Sequence, residues 1–368
     1  MKIAFDQQIF IWQEYGGISR YAYQLAAELA TSCNQEVALV CPLHVTHYLA
    51  AHPNELKVFG TKAPSRFRSG RLFRAVNLVA SWLIMRWFRP SIVHETYYSA
   101  RKVAPPGAKV VLTVYDMIHE RYPCDFPESD STSHQKRLAV AQADHVICIS
   151  KQTQKDLIEF FGVPPKKTSV VYLGFALTET LDHPMRVGEP ESSYLLYVGN
   201  RSGYKNFGNL LQAYAASPLL LKNFNLVCFG GCPLAKVERD RIESLGIPLK
   251  NVRHMAGDDA ALKDAYRKAA AFVYPSLYEG FGIPPLEAMS FGCPVICSNS
   301  SSIPEVVGDA GEMFDPNDAE SMRSTLERVM ADPSLREVMV GRGYERIKQF
   351  SWERCARETL NVYQQVCS

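Results

Sequence analysis

Short apolar runs rich in valine and isoleucine alternate with amphipathic stretches from one end of the chain to the other. In the first half the runs at 2–5, 36–40, 92–94, 109–114, 145–149 and 169–172 have the length of buried strands. In the second half the same holds for 194–198, 226–229, 252–254, 271–274, 294–297 and 311–314. Apolar positions recur at helical spacing between them, over 18–30, 206–215, 235–245 and 260–269. Continuous apolar strands alternating with helices predict parallel sheets covered on both faces.

The stretch 178–193 breaks this rhythm. It carries Pro184, Gly188 and Pro190 among charges, without apolar periodicity, and reads as a linker. The chain of 368 residues suits two domains. They are placed at 1–180 and 190–350, and a capped amphipathic helix over 351–368 is expected to return to the first. Two such doubly wound α/β domains would bind ligands at the carboxyl ends of their strands.

Composition removes several alternatives. A formal charge of +2 gives no global case for nucleic-acid binding. The ten cysteines form no disulfide framework, and neither Cys228/Cys232 nor Cys293/Cys297 is followed by a second ligand pair at zinc spacing. They are expected as reduced, buried thiols. His44 and His47 are expected in a loop rather than on a metal. The first residues read as a strand rather than a signal peptide. The most membrane-like stretch, 75–85, falls short of the ~20 apolar residues a spanning helix needs. A cytoplasmic protein is expected.

The densest chemistry lies at 275–289, Pro-Ser-Leu-Tyr-Glu-Gly-Phe-Gly-Ile-Pro-Pro-Leu-Glu-Ala-Met. Gly280 and Gly282 permit a tight turn and close approach of backbone to a ligand. The N–H groups of Phe281, Gly282 and Ile283 would point from the start of a helix at an anion. Pro284 and Pro285 suit a first helical turn. Glu287, one turn in, could accept two hydrogen bonds from a vicinal diol, and Glu279 could face a sugar. An ordinary strand–loop–helix corner would share the glycines and the acid.

Glu279-x7-Glu287 in this setting resembles the signature of glycosyltransferase family 4, the retaining transferases of GT-B fold. Gly292-x-Pro294-Val295, Ser302-x-Pro304-Glu305-Val306-Val307-Gly308-Asp309-Ala310 and Asp315-Pro316 continue it. The resemblance spans nearly the whole chain and is strongest in its second half. It implies two Rossmann-like domains facing across a cleft. Glu279 would then contact hydroxyls of the donor sugar, the backbone of Phe281, Gly282 and Ile283 the sugar and diphosphate, and Glu287 the ribose.

Other segments fit around this centre. Gly199-Asn200-Arg201-Ser202-Gly203-Tyr204-Lys205-Asn206 sets two cations near a helix start, an anion pocket or a solvated basic turn. The resemblance assigns Lys205 and Arg201 to the donor diphosphate, although Asn200 stands where similar chains carry the arginine. Gly16 and Gly17 open the first long helix, either as a capping turn or, by resemblance, beside the acceptor and donor phosphates. Asp116 and His119 follow the strand 109–114, where similar chains place a catalytic histidine; Tyr115 stands in its position here, so either residue could reach the sugar. His94, Glu95 and Ser150 are weaker candidates, Ser150 being better read as a helix cap. The backbone at His254 and Met255 would read the nucleotide base.

No Asp-x-Asp pairing suggests a metal-held diphosphate, so no cofactor or metal is expected. Leaving-group charge would fall to Lys205, Arg201 and the helix start. The resemblance of Tyr-Val-Gly-Asn-Arg and Tyr-Lys-Asn-Phe to mannosyltransferase-like members favours a GDP-hexose such as GDP-mannose, with a UDP-sugar as runner-up. The acceptor would be a glycan, free or lipid-linked, in bacterial surface-polysaccharide assembly. A nucleotide-sugar epimerase or hydrolase and an inactive carbohydrate-binding scaffold are the alternatives. From Lys62 to Arg89 the chain holds seven cations and no acid around Leu72, Val76, Val79 and Leu83. This reads as a partly buried helix with a basic rim or as a surface helix for an anionic membrane, which would make the protein peripheral on the inner face of the plasma membrane.

Overall fold

A computed structural model describes residues 1–64, 70–175, 194–201 and 203–368. The chain divides into two compact units: Met1–Ala176 with Phe350–Ser368, and Leu177–Gln349. The linker expected at 178–193 lies outside the described residues, as do Arg66, Arg68 and Ser202.

Unit 1 is built on seven strands: β1 (Lys2–Phe5), β2 (Glu36–His44), β3 (Leu56–Lys62), β4 (Ile92–Glu95), β5 (Lys109–Val114), β6 (His145–Cys148) and β7 (Thr168–Val170). All pairs are parallel, in the order β3-β2-β1-β4-β5-β6-β7. Unit 2 has six: β8 (Tyr194–Val198), β9 (Asn225–Phe229), β10 (Val252–Met255), β11 (Ala271–Tyr274), β12 (Val295–Ser298) and β13 (Gly311–Phe314). Their order is β10-β9-β8-β11-β12-β13, again parallel. In each sheet the chain winds one way and then the other. The direction reverses between β1 and β4 in unit 1 and between β8 and β11 in unit 2, leaving adjacent carboxyl ends open to a ligand.

The apolar runs become strands because both faces of each sheet are covered. Every residue of β4, β6, β11 and β12 is buried. Helix starts are fixed by side-chain caps: Ser150 accepts from Thr153 N, Ser217 from Leu220 N, Asp258 from Ala261 N and Asp332 from Leu335 N. The last helix, Trp352–Cys367, is capped by Ser351 and buries Cys355, Ala356, Thr359, Val362 and Tyr363 as one stripe. As expected, it belongs to unit 1, where it packs on the helix Gly17–Thr31. The Tyr363 hydroxyl meets His94 Nδ1 at the end of β4, and His94 Nε2 reaches Thr113 Oγ1 of β5 at 2.8 Å. Burial pushes the His94 pKa down to about 3, so the ring is neutral at pH 7.

Three expectations are corrected. The edge strand β3 has no counterpart in the sequence reading: its outer half, including Thr61 and Lys62, is polar and exposed, and lacks the apolar run of an inner strand. Lys62 therefore lies on a strand, and the basic helix starts only at Arg71 and ends at Phe88. His44 is the buried last residue of β2 rather than a loop histidine; its Nδ1 lies 3.2 Å from Thr46 O. Among the cysteines, Cys124, Cys232 and Cys367 are exposed.

Gly174 sits where the chain meets the last helix. A Cβ there would lie 2.6 Å from Trp352 Cα, a backbone neighbour that cannot turn aside. Gly174→Ala is expected to cost about 1–3 kcal/mol through overpacking, read as a lower urea midpoint.

Candidate functional site

The open end of unit 2 is formed by the loops that follow β8 and β11, the two strands flanking the reversal. The first loop ends in the turn Gly203–Lys205 and the helix Phe207–Ala215. The second leads through Glu279 into the helix Ile283–Ser290. Lys205 Nζ lies 2.6 Å from Glu279 Oε1, so residues far apart in sequence meet as one ion pair. Glu279 is only 8% exposed. The Tyr274 hydroxyl lies on the same carboxylate; burial first, and that charge second, push its pKa well above the ordinary value.

The backbone around the pair is tied down. Asn206, in the left-handed region at φ 61°, donates from Nδ2 to Pro275 O at 3.0 Å and to Pro316 O at 2.8 Å. Leu277 N donates to Tyr204 O at 2.8 Å, joining the two loops directly. The serines after β12 hold the second loop from its other side. Ser301 Oγ accepts from Glu279 N at 3.1 Å, and Ser302 Oγ lies 2.9 Å from Glu279 O and 2.8 Å from Phe281 O. Gly282, at φ 112°, occupies a conformation that an L side chain rarely adopts and starts the helix. Pro284 and Pro285 lack N–H groups, so the donors of this helix start belong to Gly282 and Ile283. One turn on, Glu287 is half-buried and accepts from the Tyr266 hydroxyl at 3.2 Å.

Arg201 does not join Lys205. Its Nε donates to Glu238 Oε1 at 2.7 Å and its Nη2 to Cys232 O at 2.6 Å, binding the β8 loop to the segment after β9. Asn200 is exposed, and its carbonyl accepts from the Tyr197 hydroxyl. On β10, the edge strand, Met255 is exposed and His254 is half-buried. His254 Nε2 has no hydrogen-bond partner among the described residues.

In unit 1, Gly17 is exposed at the start of its helix, with open space where a side chain would stand. Gln13 Oε1 accepts from Ser19 N at 3.1 Å, so this helix start is partly capped from within the chain. Asp116 and His119 have separate surroundings. Asp116 Oδ1 accepts from Ile118 N at 3.0 Å. The wholly buried Lys136 donates to Asp116 O at 2.9 Å and to Glu120 Oε2 at 2.8 Å. His119 stacks on Phe126, 3.9 Å between centroids, with Nε2 3.8 Å from Asp130 Oδ2. Tyr115 is buried and donates to Thr96 O at 3.0 Å. At the unit 1 reversal, Asp6 accepts from Gln8 and from both donors of Thr96. Neighbouring Glu95 is pushed up to about 8, by burial first and by the Asp6 charge second.

Both units match models of known glycosyltransferase domains. A model described as glycosyl transferases group 1 matches residues 183–346, and one described as glycosyltransferase family 4 matches residues 15–179. The chain thus carries a glycosyltransferase family 4 domain followed by a glycosyl transferases group 1 domain. The chain is 29% identical over 370 residues to the O-antigen chain mannosyltransferase B of Escherichia coli, covering 94% of this chain and 95% of that one. It is 27% identical over 273 residues to the serotype-specific mannosyltransferase WbdA of Escherichia coli, covering 69% of this chain and 33% of that one. The solved sucrose-phosphate synthase of Thermosynechococcus elongatus superposes with a TM-score of 0.71 at 18% identity, over 99% of this chain and 98% of that one. The likeness establishes the GT-B fold for this glycosyltransferase.

Sequence reasoning missed Tyr266, Tyr274, Ser301 and Lys136, and quoted Ser302 only within the family pattern, without a role. Only the serines carried a signal, a polar run directly after a buried strand. Ser302→Ala is expected to cost about 1–3 kcal/mol, because the hydroxyl shared by the carbonyls of Phe281 and Glu279 is lost and Glu279 O keeps only Ser301 Oγ at 2.6 Å; a lower melting temperature checks it. Glu95 holds its proton in the folded chain and loses it when unfolded. Its contribution is fully present below its ordinary pKa near 4.5 and is lost as pH rises through about 8. His94 acts oppositely, losing stability as pH falls from 6.5 towards about 3. Between pH 6.5 and 8 the Glu95 loss is expected at up to about 1.4 kcal/mol per pH unit, and Glu95→Gln should flatten it in urea titrations.

Proposed function

We propose that this glycosyltransferase moves a mannosyl group from GDP-mannose, or a related GDP-hexose, to a glycan or lipid-linked glycan of a bacterial surface polysaccharide. The observation that carries the reading is the Lys205–Glu279 pair beside the Gly282 helix start, at the open end of a doubly wound sheet. The mannosyltransferase that aligns along nearly the whole chain supports the choice of sugar.

In this reading the diphosphate lies over the N–H groups of Gly282 and Ile283. Lys205 turns from Glu279 towards the phosphates and neutralises charge as the sugar–phosphate bond breaks. Glu279 then accepts hydrogen bonds from sugar hydroxyls, and Glu287, steadied by Tyr266, accepts those of the ribose. Arg201 acts through its hold on the β8 loop. The acceptor hydroxyl attacks from the face the diphosphate leaves, which retains the anomeric configuration, and the departing phosphate takes its proton. No metal is required, because the cation and the helix start carry the leaving-group charge.

Lys205→Ala and Glu279→Ala are each expected to lower transfer by ~10²-fold or more, while EDTA leaves the unaltered chain active. Loss of activity on chelation would overturn the metal-free reading. Thermal-shift measurements with GDP, UDP and their sugars test the donor: GDP should raise the melting temperature most, and a larger UDP shift would move the assignment to a UDP-sugar.

A further inference from the structure

The helix Arg71–Phe88 is built inside out. The stripe it buries is Phe73, Asn77, Ser81, Met85 and Phe88, two of the five polar. Asn77 is held by accepting from Leu43 N at 2.9 Å and donating to Phe73 O at 3.0 Å. The opposite face carries more apolar side chains, into solvent: Leu72 is 68% exposed, Val79 58%, Leu83 56% and Trp87 72%, with Val76 and Trp82 beside them. Exposed apolar residues are ordinary when scattered; a continuous stripe of six along one helix face marks a surface that meets something. Trp12, 63% exposed on the loop after β1, extends it, with Arg74 over its ring at 5.7 Å.

The charges identify the partner. The helix has no acidic residue and carries Arg71, Arg74 and Arg86, while Arg89 caps its end in the left-handed region. At that end Arg86 and Arg89, with Lys109, line a hollow of about 760 Å³ walled by Pro90, Pro105 and Gly107. Lys109 also lies 3.5 Å from Asp144. Arg86 lies over Trp82 at 4.8 Å, so cation and indole share one edge of the stripe. Indoles and arginines around an aliphatic stripe suit the boundary between lipid head groups and acyl chains. A cationic hollow opening beside them suits a phosphate on that boundary. A protein partner for so apolar a face would need no such density of arginines. Among the described residues no helix is long and apolar enough to cross a membrane.

We infer that the outer face of Arg71–Phe88, with Trp12, lies on an anionic bilayer, and that Arg86, Arg89 and Lys109 take a lipid head-group phosphate. This surface lies wholly within unit 1 and its inference does not depend on the donor reading.

The test is vesicle binding by the full chain. Three of the four tryptophans, Trp12, Trp82 and Trp87, lie on this surface. Their fluorescence should be quenched by phosphatidylglycerol vesicles brominated on the acyl chains and not by phosphatidylcholine vesicles. The double substitutions Leu83→Ser with Trp87→Ser, and Arg86→Gln with Arg89→Gln, should each weaken partitioning into phosphatidylglycerol at least tenfold. Fluorescence quenching of the unaltered chain stands as a readout if a variant misfolds. Absence of quenching, equal binding to both lipids, or a dimer in sedimentation that Leu83→Ser dissolves would overturn the inference. Competition by free inorganic phosphate that releases the protein from vesicles would overturn the apolar part of it.

Discussion

A carboxylate and an ammonium group that are mostly out of water must find each other, and in unit 2 the turn of the sheet makes that meeting possible. The strand order reverses between β8 and β11, so their following loops emerge side by side with no crossover helix between them. Lys205 on one and Glu279 on the other close to 2.6 Å. The desolvation cost of such a pair is several kcal/mol per ion, and it is offset only when geometry and hydrogen bonding are good. That explains the surrounding investment in backbone fixation: the left-handed Asn206, the Leu277–Tyr204 bond and the serines after β12 all remove freedom from the loops that hold the charges.

Unit 1 solves the same topological problem differently. Its reversal between β1 and β4 brings Asp6 and Glu95 together, like charges rather than opposite ones. Hydrogen bonds from Gln8 and Thr96 satisfy Asp6, and Glu95 keeps its proton. Two parallel sheets with the same winding thus present different electrostatics at corresponding ends: an ion pair in one, and in the other a hydrogen-bonded carboxylate beside a protonated one.

Much of the corner between β11 and its following helix was legible in the sequence. Gly282 suits its left-handed backbone angle, the prolines suit a first turn, and Glu287 follows one turn later. These are local constraints, so a linear reading finds them. The fate of Arg201 was not legible, because its partner Glu238 comes from the helix after β9 and sequence spacing says nothing of that contact. Asp116 and His119 fall in the same class. Asp116 is set by Lys136, a buried lysine whose sequence neighbours mark it as an ordinary helix residue, and His119 by Phe126 and Asp130. The β3 edge strand escaped because an edge has one side and much of one face in water and needs no apolar run.

The sequence by itself determined the repeated strand–helix rhythm, the parallel sheets that follow from it, and the glycine-proline-glutamate corner that presents backbone donors. It also determined that the helix from Arg71 is apolar and basic. Only tertiary structure decided which loops lie together, which cation meets Glu279, and which face of that helix points outward. Local pattern fixes what a segment can bury. The neighbours that actually cover it arrive from distant parts of the chain, and they left Leu72, Val79, Leu83 and Trp87 uncovered.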